Sequence, residues 1–346
     1  MKFDYPQITG FLGNIFKFLK AGIIIILLYF ILLLIGYFYF DPFRIIYHYN
    51  NYSGAFIQLN WDYVSTEMYI QNKGKYNYNS FIFGSSRTIA YSPESWKKHL
   101  NASDSPYMFT ASVESVYGIY KKLEYLDRTH AKIDNALIVL CRDCSFTNST
   151  NHKGHCWIKD PVTSGESQLA FHKEFLCAYL TPRFNLSYYT YMLTKTMKPW
   201  MMGIDTRANE YDTVTNQVTM VEWNKELAKD PIRYYERRKK SFFSRSGEVT
   251  DSVQRIKPEQ VYMLYQIARI LQKHNTNYKV VISPLYEQVR FSAPDKRILV
   301  RLFGDHLYDF SGKNSFTDPE TNYYEDSHYL PKVGDSIMNI IYKSSM

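Results

Sequence analysis

Apolar positions fall along this chain in two patterns: one unbroken run near the start, then short runs alternating with helical spacings. The unbroken run, Ala21 to Phe40 (AGIIIILLYFILLLIGYFYF), contains no charged residue. As a helix it extends about 30 Å, the thickness of a bilayer's hydrocarbon core. It is longer than the apolar region of a cleaved signal peptide. It also ends in Tyr37-Phe38-Tyr39-Phe40 rather than in a small-residue cleavage site, which predicts a retained anchor. Lys2, Lys17 and Lys20 precede the run and only Arg44 follows closely. That asymmetry predicts residues 1–20 in the cytoplasm and everything after residue 40 outside it, in the periplasm or the extracellular space.

Beyond a juxtamembrane connector at 41–77, the short runs read as strands of a parallel sheet joined by helices. Ser80-Phe81-Ile82-Phe83 is the first strand, followed by a helix opening at Pro93 with Ser92 as its cap. Tyr107-Met108-Phe109 is the second, followed by a helix from about Glu114 to Leu126 with Val116, Ile119, Tyr120 and Leu123 on one face. Ala136 to Leu140 is a continuous apolar strand of the fully buried kind. The pattern resumes with a helix from about Glu259 to Lys273, a strand at Lys279 to Ile282, a helix near Lys296 to Phe303, a strand at Leu307 to Phe310 and a last helix from Lys332 to Tyr342. Between these halves, 78–146 and 258–346, residues 147–257 form a long insertion. It is expected to be mainly helical, with helices at Gln168–Tyr179 and Leu186–Thr196, a hairpin at Glu210–Trp223 and a basic helix through Arg237-Arg238-Lys239-Lys240. A structureless loop of that length does not fit a compact domain, so a subdomain or lid is expected. The fold class is therefore α/β, a flavodoxin-like doubly wound parallel sheet with a helical insertion and one N-terminal transmembrane helix.

Composition adds little to the class but narrows the partners. Hydrophobic residues make up 45% of the chain and aromatics 17%, enough for a packed core and against a disordered chain. The net charge of +8 is dispersed rather than gathered into a binding motif, which argues against nucleic acid and leaves anionic envelope polymer or lipid headgroups. Cys141, Cys144, Cys156 and Cys177 cluster in sequence. In an oxidising compartment they read as one or two disulfides or as free structural thiols. Cys141 and Cys144 with His152, His155 and Cys156 form a weaker, zinc-like pattern.

Two segments carry chemistry. Phe83-Gly84-Ser85-Ser86-Arg87 follows the first strand, where functional residues of a doubly wound sheet gather. Glu325-Asp326-Ser327-His328 precedes the last helix and offers an imidazole with a carboxylate one turn upstream. A serine nucleophile needs a base to take its proton and an acid to hold that base in the right tautomer. This pair of segments resembles the first and last blocks of the SGNH (GDSL-like) hydrolase superfamily, over about Tyr78–Phe146 and Glu259–Tyr342. The Gly-Ser-Ser variant with one N-terminal anchor is similar to its envelope-polymer acylation branch, the D-alanyl-lipoteichoic acid transfer and alginate O-acetylation type. The resemblance implies Ser86 as nucleophile, His328 as base, and Glu325 or Asp326 as the acid. Here Glu325 stands where the family has Asp. Cys141-Arg142-Asp143-Cys144 falls on the family's Gly-x-Asn-Asp block, so its oxyanion-binding Asn is missing. Gly84, Arg87, Ser112, Arg142 and Asp143 are the candidates for oxyanion or substrate contacts.

What the resemblance implies is a cofactor-free, metal-free serine acyltransferase acting on an envelope polysaccharide or other cell-surface polymer, with a membrane-bound O-acyltransferase as partner. A membrane-tethered carbohydrate esterase uses the same residues. A non-catalytic glycan-binding or scaffold module is the alternative from a different class.

Overall fold

The computed structural model describes residues 5–205, 209–245 and 247–343; Lys2, part of the charge asymmetry, lies outside the described residues. Helix α1 (Tyr5–Phe40) contains the apolar stretch Ile15–Phe40, which is long and apolar enough to cross a membrane. It is followed by α2 (Trp61–Tyr76), β1 (Ser80–Gly84), a 3-10 turn at Ser86–Ala90, α3 (Pro93–Lys97), β2 (Pro106–Thr110), α4 (Val116–Arg128) and β3 (Asn135–Leu140). The middle of the chain forms α5 (Pro161–Ser164), α6 (Gln168–Leu180), α7 (Pro182–Thr194), a hairpin of β4 (Asn209–Tyr211) and β5 (Val218–Met220), α8 (Val221–Lys229) and α9 (Pro231–Arg238). The remainder runs β6 (Val249–Thr250), α10 (Pro258–Lys273), β7 (Asn277–Ile282), β8 (Val289–Arg290), α11 (Ala293–Phe303), β9 (Leu307–Asp309) and α12 (Pro331–Lys343).

Five strands make one all-parallel sheet in the order β2-β1-β3-β7-β9. Successive side chains of a strand point to opposite faces, and here both faces are covered. Phe81, Phe83, Tyr107, Phe109, Ile138 and Val280 pack under α2, α4 and α10. Ile82, Met108, Leu137, Val139 and Val281 pack with Trp96 of α3 and Ile337 and Ile341 of α12. The strand order reverses direction beside β1. The crevice between the carboxyl ends of β1 and β3 is the place where such sheets bind ligands.

The predicted strands and helices around the sheet are present within a few residues. In the middle, Lys239 and Lys240 lie past the end of the basic helix α9. The chain between β4 and β5 caps the sheet's edge: Met108 N–H donates to Thr215 O at 2.8 Å and the Asn216 side chain donates to Met108 O at 2.8 Å. That covering removes the exposed hydrogen-bonding row of an edge strand. The connector 41–77, for which the sequence pattern offered no element, contains α2 and supplies Phe43, Ile45, Tyr52, Ile57 and Leu59 to the core. Trp61 to Tyr69 are buried without interruption, so no amphipathic period marks the helix. All four cysteines are free thiols.

Candidate functional site

The turn carrying Ser86 is built by a glycine and by a helix from the far end of the chain. Gly84 has φ +148°, and a Cβ there would lie 2.7 Å from Val139 O, so only glycine lets β1 turn against β3. Across the 3-10 turn, a Cβ on Gly334 would come within 1.9 Å of Ala90 O. Glycine at that position lets α12 press onto the turn. The loop before α12 carries His328, and this packing brings together two segments separated by 242 residues.

Ser86 Oγ lies 2.8 Å from His328 Nε2. His328 Nδ1 hydrogen-bonds Glu325 Oε1, and Glu325 Oε2 accepts the Ser327 N–H at 2.8 Å. Burial alone raises the Glu325 carboxyl. The hydrogen bond and charge of His328, with hydrogen bonds from Asp326 and the Ser327 N–H, outweigh it and hold Glu325 below its ordinary range. Asp326 does not contact the imidazole in this arrangement. Burial, then a hydrogen bond to Glu325 and that carboxylate's charge, push it up to about 6. Of the two acids, Glu325 is the one that touches the imidazole.

Arg87 is buried and faces away from the pocket that Ser86 opens into. Its guanidinium binds both Asp143 oxygens at 2.7 and 2.6 Å, while Nε donates to Ser327 O at 2.8 Å. It thereby ties the loop after β3 to the loop holding His328. Burial opposes the Asp143 charge, but Arg87 prevails and keeps that carboxyl low. Arg142 is not brought to Ser86. Its Nε and Nη2 hold Glu287 at 2.8 and 2.7 Å, and its Nη1 holds Asp251, so its donors are spent elsewhere. Asp143, spent on Arg87, likewise supplies nothing to the pocket, and Gly84 serves the turn. Cys141, Asp143 and Cys144 each place a ligand-type atom within 4.8 Å of the others, and His152, His155 and Cys156 are not part of that group.

Ser86 and His328 open into a pocket of about 270 Å³. Ser112 and Val113 line it from the loop after β2, Trp61 from the start of α2, and Trp157, Met220 and Trp223 from the middle of the chain. Val113 has φ +51°, a conformation that a β-branched residue adopts only when its surroundings enforce it. The enforcement is visible next door. Glu114 and Asp62 are enclosed with Lys122 and Lys159, at 2.6 Å for Lys122–Glu114, 2.9 Å for Lys122–Asp62 and 2.6 Å for Lys159–Glu114. The Trp223 ring meets the His328 ring edge-on at 6.3 Å between centroids.

The three pocket tryptophans and Val113 were missed from sequence. Their signal was weak: three of the chain's five tryptophans line one pocket, but from three separate segments whose meeting no spacing encodes. The site places a serine hydroxyl within hydrogen-bond reach of an imidazole, a carboxylate behind that imidazole, and flat apolar side chains around them. No family model matches the chain, and no curated protein matches it.

Proposed function

We propose that this protein is an SGNH-type serine acyltransferase, held at the membrane by α1, that acts on an extracytoplasmic polysaccharide or other envelope polymer. The observation that carries the proposal is the continuous hydrogen-bonded line Ser86 Oγ, His328 Nε2, His328 Nδ1, Glu325 Oε1. The position of Ser86 at the carboxyl end of β1, next to the reversal of strand order, supports it.

Ser86 Oγ attacks the carbonyl carbon of an acyl ester while His328 Nε2 takes the hydroxyl proton. Glu325 holds the Nδ1 proton and stabilises the imidazolium as charge develops. The tetrahedral intermediate expels the donor alcohol, which leaves with the proton from His328, and the acyl group remains on Ser86. An acceptor hydroxyl then gives its proton to His328, attacks the acyl-serine and releases Ser86. With no Asn in Cys141-Arg142-Asp143-Cys144 directly after β3, the oxyanion falls to backbone N–H groups near Ser86 and Ser112, a role in keeping with the enforced backbone at Val113. The apolar faces of Trp61, Trp157 and Trp223 suit a pyranose ring, which stacks its C–H face on aromatic side chains. This wall favours a sugar acceptor over water, and hence transfer over simple esterase turnover. A transferase on this side of the membrane also needs an acyl donor, which fits a membrane-bound O-acyltransferase partner.

The test is covalent capture. A fluorophosphonate or an activated ester should leave one adduct, located on Ser86 by peptide mass spectrometry, and none on the Ser86→Ala chain. A folded wild-type protein that takes no adduct, or takes it elsewhere, sinks the nucleophile assignment.

A further inference from the structure

The end of α1 is bound into the domain it carries. The Tyr179 hydroxyl donates to Leu33 O at 3.0 Å and shares a hydrogen bond of 2.7 Å with the Tyr189 hydroxyl. The Tyr37 and Tyr179 rings lie 5.1 Å apart, and those of Phe40 and Tyr189 5.7 Å. Gly36 is so close that a Cβ there would meet the Tyr189 hydroxyl at 2.2 Å. Just past the helix, the Asp41 carboxylate accepts the N–H groups of Ile45, Ile46 and Tyr47 at 2.9, 3.0 and 3.1 Å, and Phe43 stacks on Phe184. The junction between helix and domain is therefore stiff.

These contacts also set a level. Phe175 of α6 lies beside Phe43, and Tyr179 lies beside Tyr37 and Leu33, so α6 runs back down along α1. At about 1.5 Å per residue, Leu33 is about 10 Å before the end of α1. The charge-free part of that helix, Ala21–Phe40, is about 30 Å long, the thickness of the hydrocarbon core. Leu33 and Gly36 therefore lie in the outer third of the span, and the parts of α6 and α7 that touch them reach the boundary between acyl chains and headgroups.

What they expose there is apolar and basic. Leu186 and Leu193 sit three residues before and four after Tyr189 on α7, the residue whose ring meets Phe40 of α1, and Leu193 is 79% exposed. The chain after α7 folds back along it, with Arg183 Nε donating to Trp200 O at 2.9 Å and Met202 N–H donating to Ser187 Oγ at 3.0 Å. That return leaves Met197, Trp200 and Met202 exposed beside α7. Arg183, Lys195 and Lys198 are exposed among them, with no acidic residue between 175 and 204.

We propose that α6, α7 and the segment 195–202 form a second membrane contact, lying in the headgroup layer of the leaflet from which α1 emerges. The exposed leucines, methionines and Trp200 enter the boundary with the acyl chains, and the three basic side chains meet lipid phosphates. The occupant follows from continuity, because the apolar face adjoins the flank of α1 and shares its level. This inference rests on reading α1 as a membrane span. Its consequence is that the domain rides on the bilayer in one orientation, with the Ser86 pocket at a set height.

The experiment uses the full chain in nanodiscs of phosphatidylcholine and phosphatidylglycerol in which the phosphatidylcholine is dibrominated either near the headgroup or near the chain end. The span of α1 contains no tryptophan, so it contributes no signal of its own. Headgroup-proximal bromine should quench part of the tryptophan emission, and Trp200→Phe should remove most of that quenchable part. Leu186→Glu with Leu193→Glu should reduce it at least twofold while the chain stays in the bilayer. Quenching that is unchanged by Trp200→Phe, in a chain that resists alkaline carbonate extraction, overturns the contact but leaves the anchor standing. Release of the wild-type chain by carbonate overturns both.

Discussion

Replacing Glu325 by glutamine probes the line of hydrogen bonds at its least conventional member. The carboxylate is acceptor-only, and both of its oxygens are used, one by His328 Nδ1 and one by the Ser327 N–H. A glutamine in the same place has two orientations. With its oxygen toward His328, its NH2 points at the Ser327 N–H, donor against donor. With its NH2 toward His328, Nδ1 must accept, the ring proton moves to Nε2, and that nitrogen can no longer take the proton of Ser86. Either way the negative charge behind the imidazolium is gone. For an acid in this role, the wrong tautomer costs roughly 10³–10⁴ in rate, about 4–5 kcal/mol of barrier. The assay is the pre-steady-state burst of acyl-serine formation from 4-nitrophenyl acetate, normalised to folded protein by circular dichroism. Asp326→Asn, which leaves the Glu325–His328 contact in place, should keep most of the wild-type rate. A Glu325→Gln chain that acylates within about threefold of wild type would refute the argument, since a loss that small is under 1 kcal/mol.

Two further outcomes concern the frame behind the pocket. Lys122→Met leaves Asp62 and Glu114 enclosed with Lys159 alone, and an uncompensated buried charge costs roughly 3–5 kcal/mol. A thermal midpoint lowered by roughly 10 °C is expected, with partial recovery when Glu114→Gln is added; a fall of less than about 2 °C would contradict the buried-charge account. Asp160 is pushed up to about 8 by burial, opposed by the Val162 N–H and reinforced by Asp62 and Glu67. Its folded form favours the proton, so its contribution is neutral at pH below the usual carboxylate range. It destabilises the fold increasingly as pH rises toward 8, by about 1.4 kcal/mol for each pH unit crossed as an upper bound. Asparagine keeps the cap on Val162 N–H without the charge. Asp160→Asn should therefore match wild type in urea denaturation at pH 4 and exceed it at pH 8.5, and a gain at pH 4 alone would reverse the expected sign.

The frame and the chemistry meet at one loop. Glu114 is held by the enclosed lysines, Val113 takes a backbone conformation it would not adopt freely, and Ser112 beside it faces the pocket of Ser86. Lys159, which belongs to the long middle segment, thus helps shape a loop of the sheet domain.

Some of this was readable from the chain alone. Continuous apolar runs such as Ala136–Leu140 announce strands buried on both faces, because only such strands have no polar side to show. The charge-free run from Ala21 to Phe40 announces a helix long and apolar enough to cross a bilayer, because both properties are read directly from composition. Ser86 and His328 could be paired before any fold was seen, since each stands at the boundary of an element where catalytic groups gather. Tertiary structure decided the rest. The choice of Glu325 over its neighbour Asp326 depends on which side chain the loop turns inward, and adjacent carboxylates carry no mark of that. Arg87 and Arg142 were equal candidates by type, and only packing shows both spent on carboxylates. Helix α2 was hidden because it is buried on every side over its first turns, which erases the amphipathic period. The tryptophan wall, and the level at which α6 and α7 meet α1, arise from segments far apart in sequence; their coincidence is a product of packing, where no local pattern reaches.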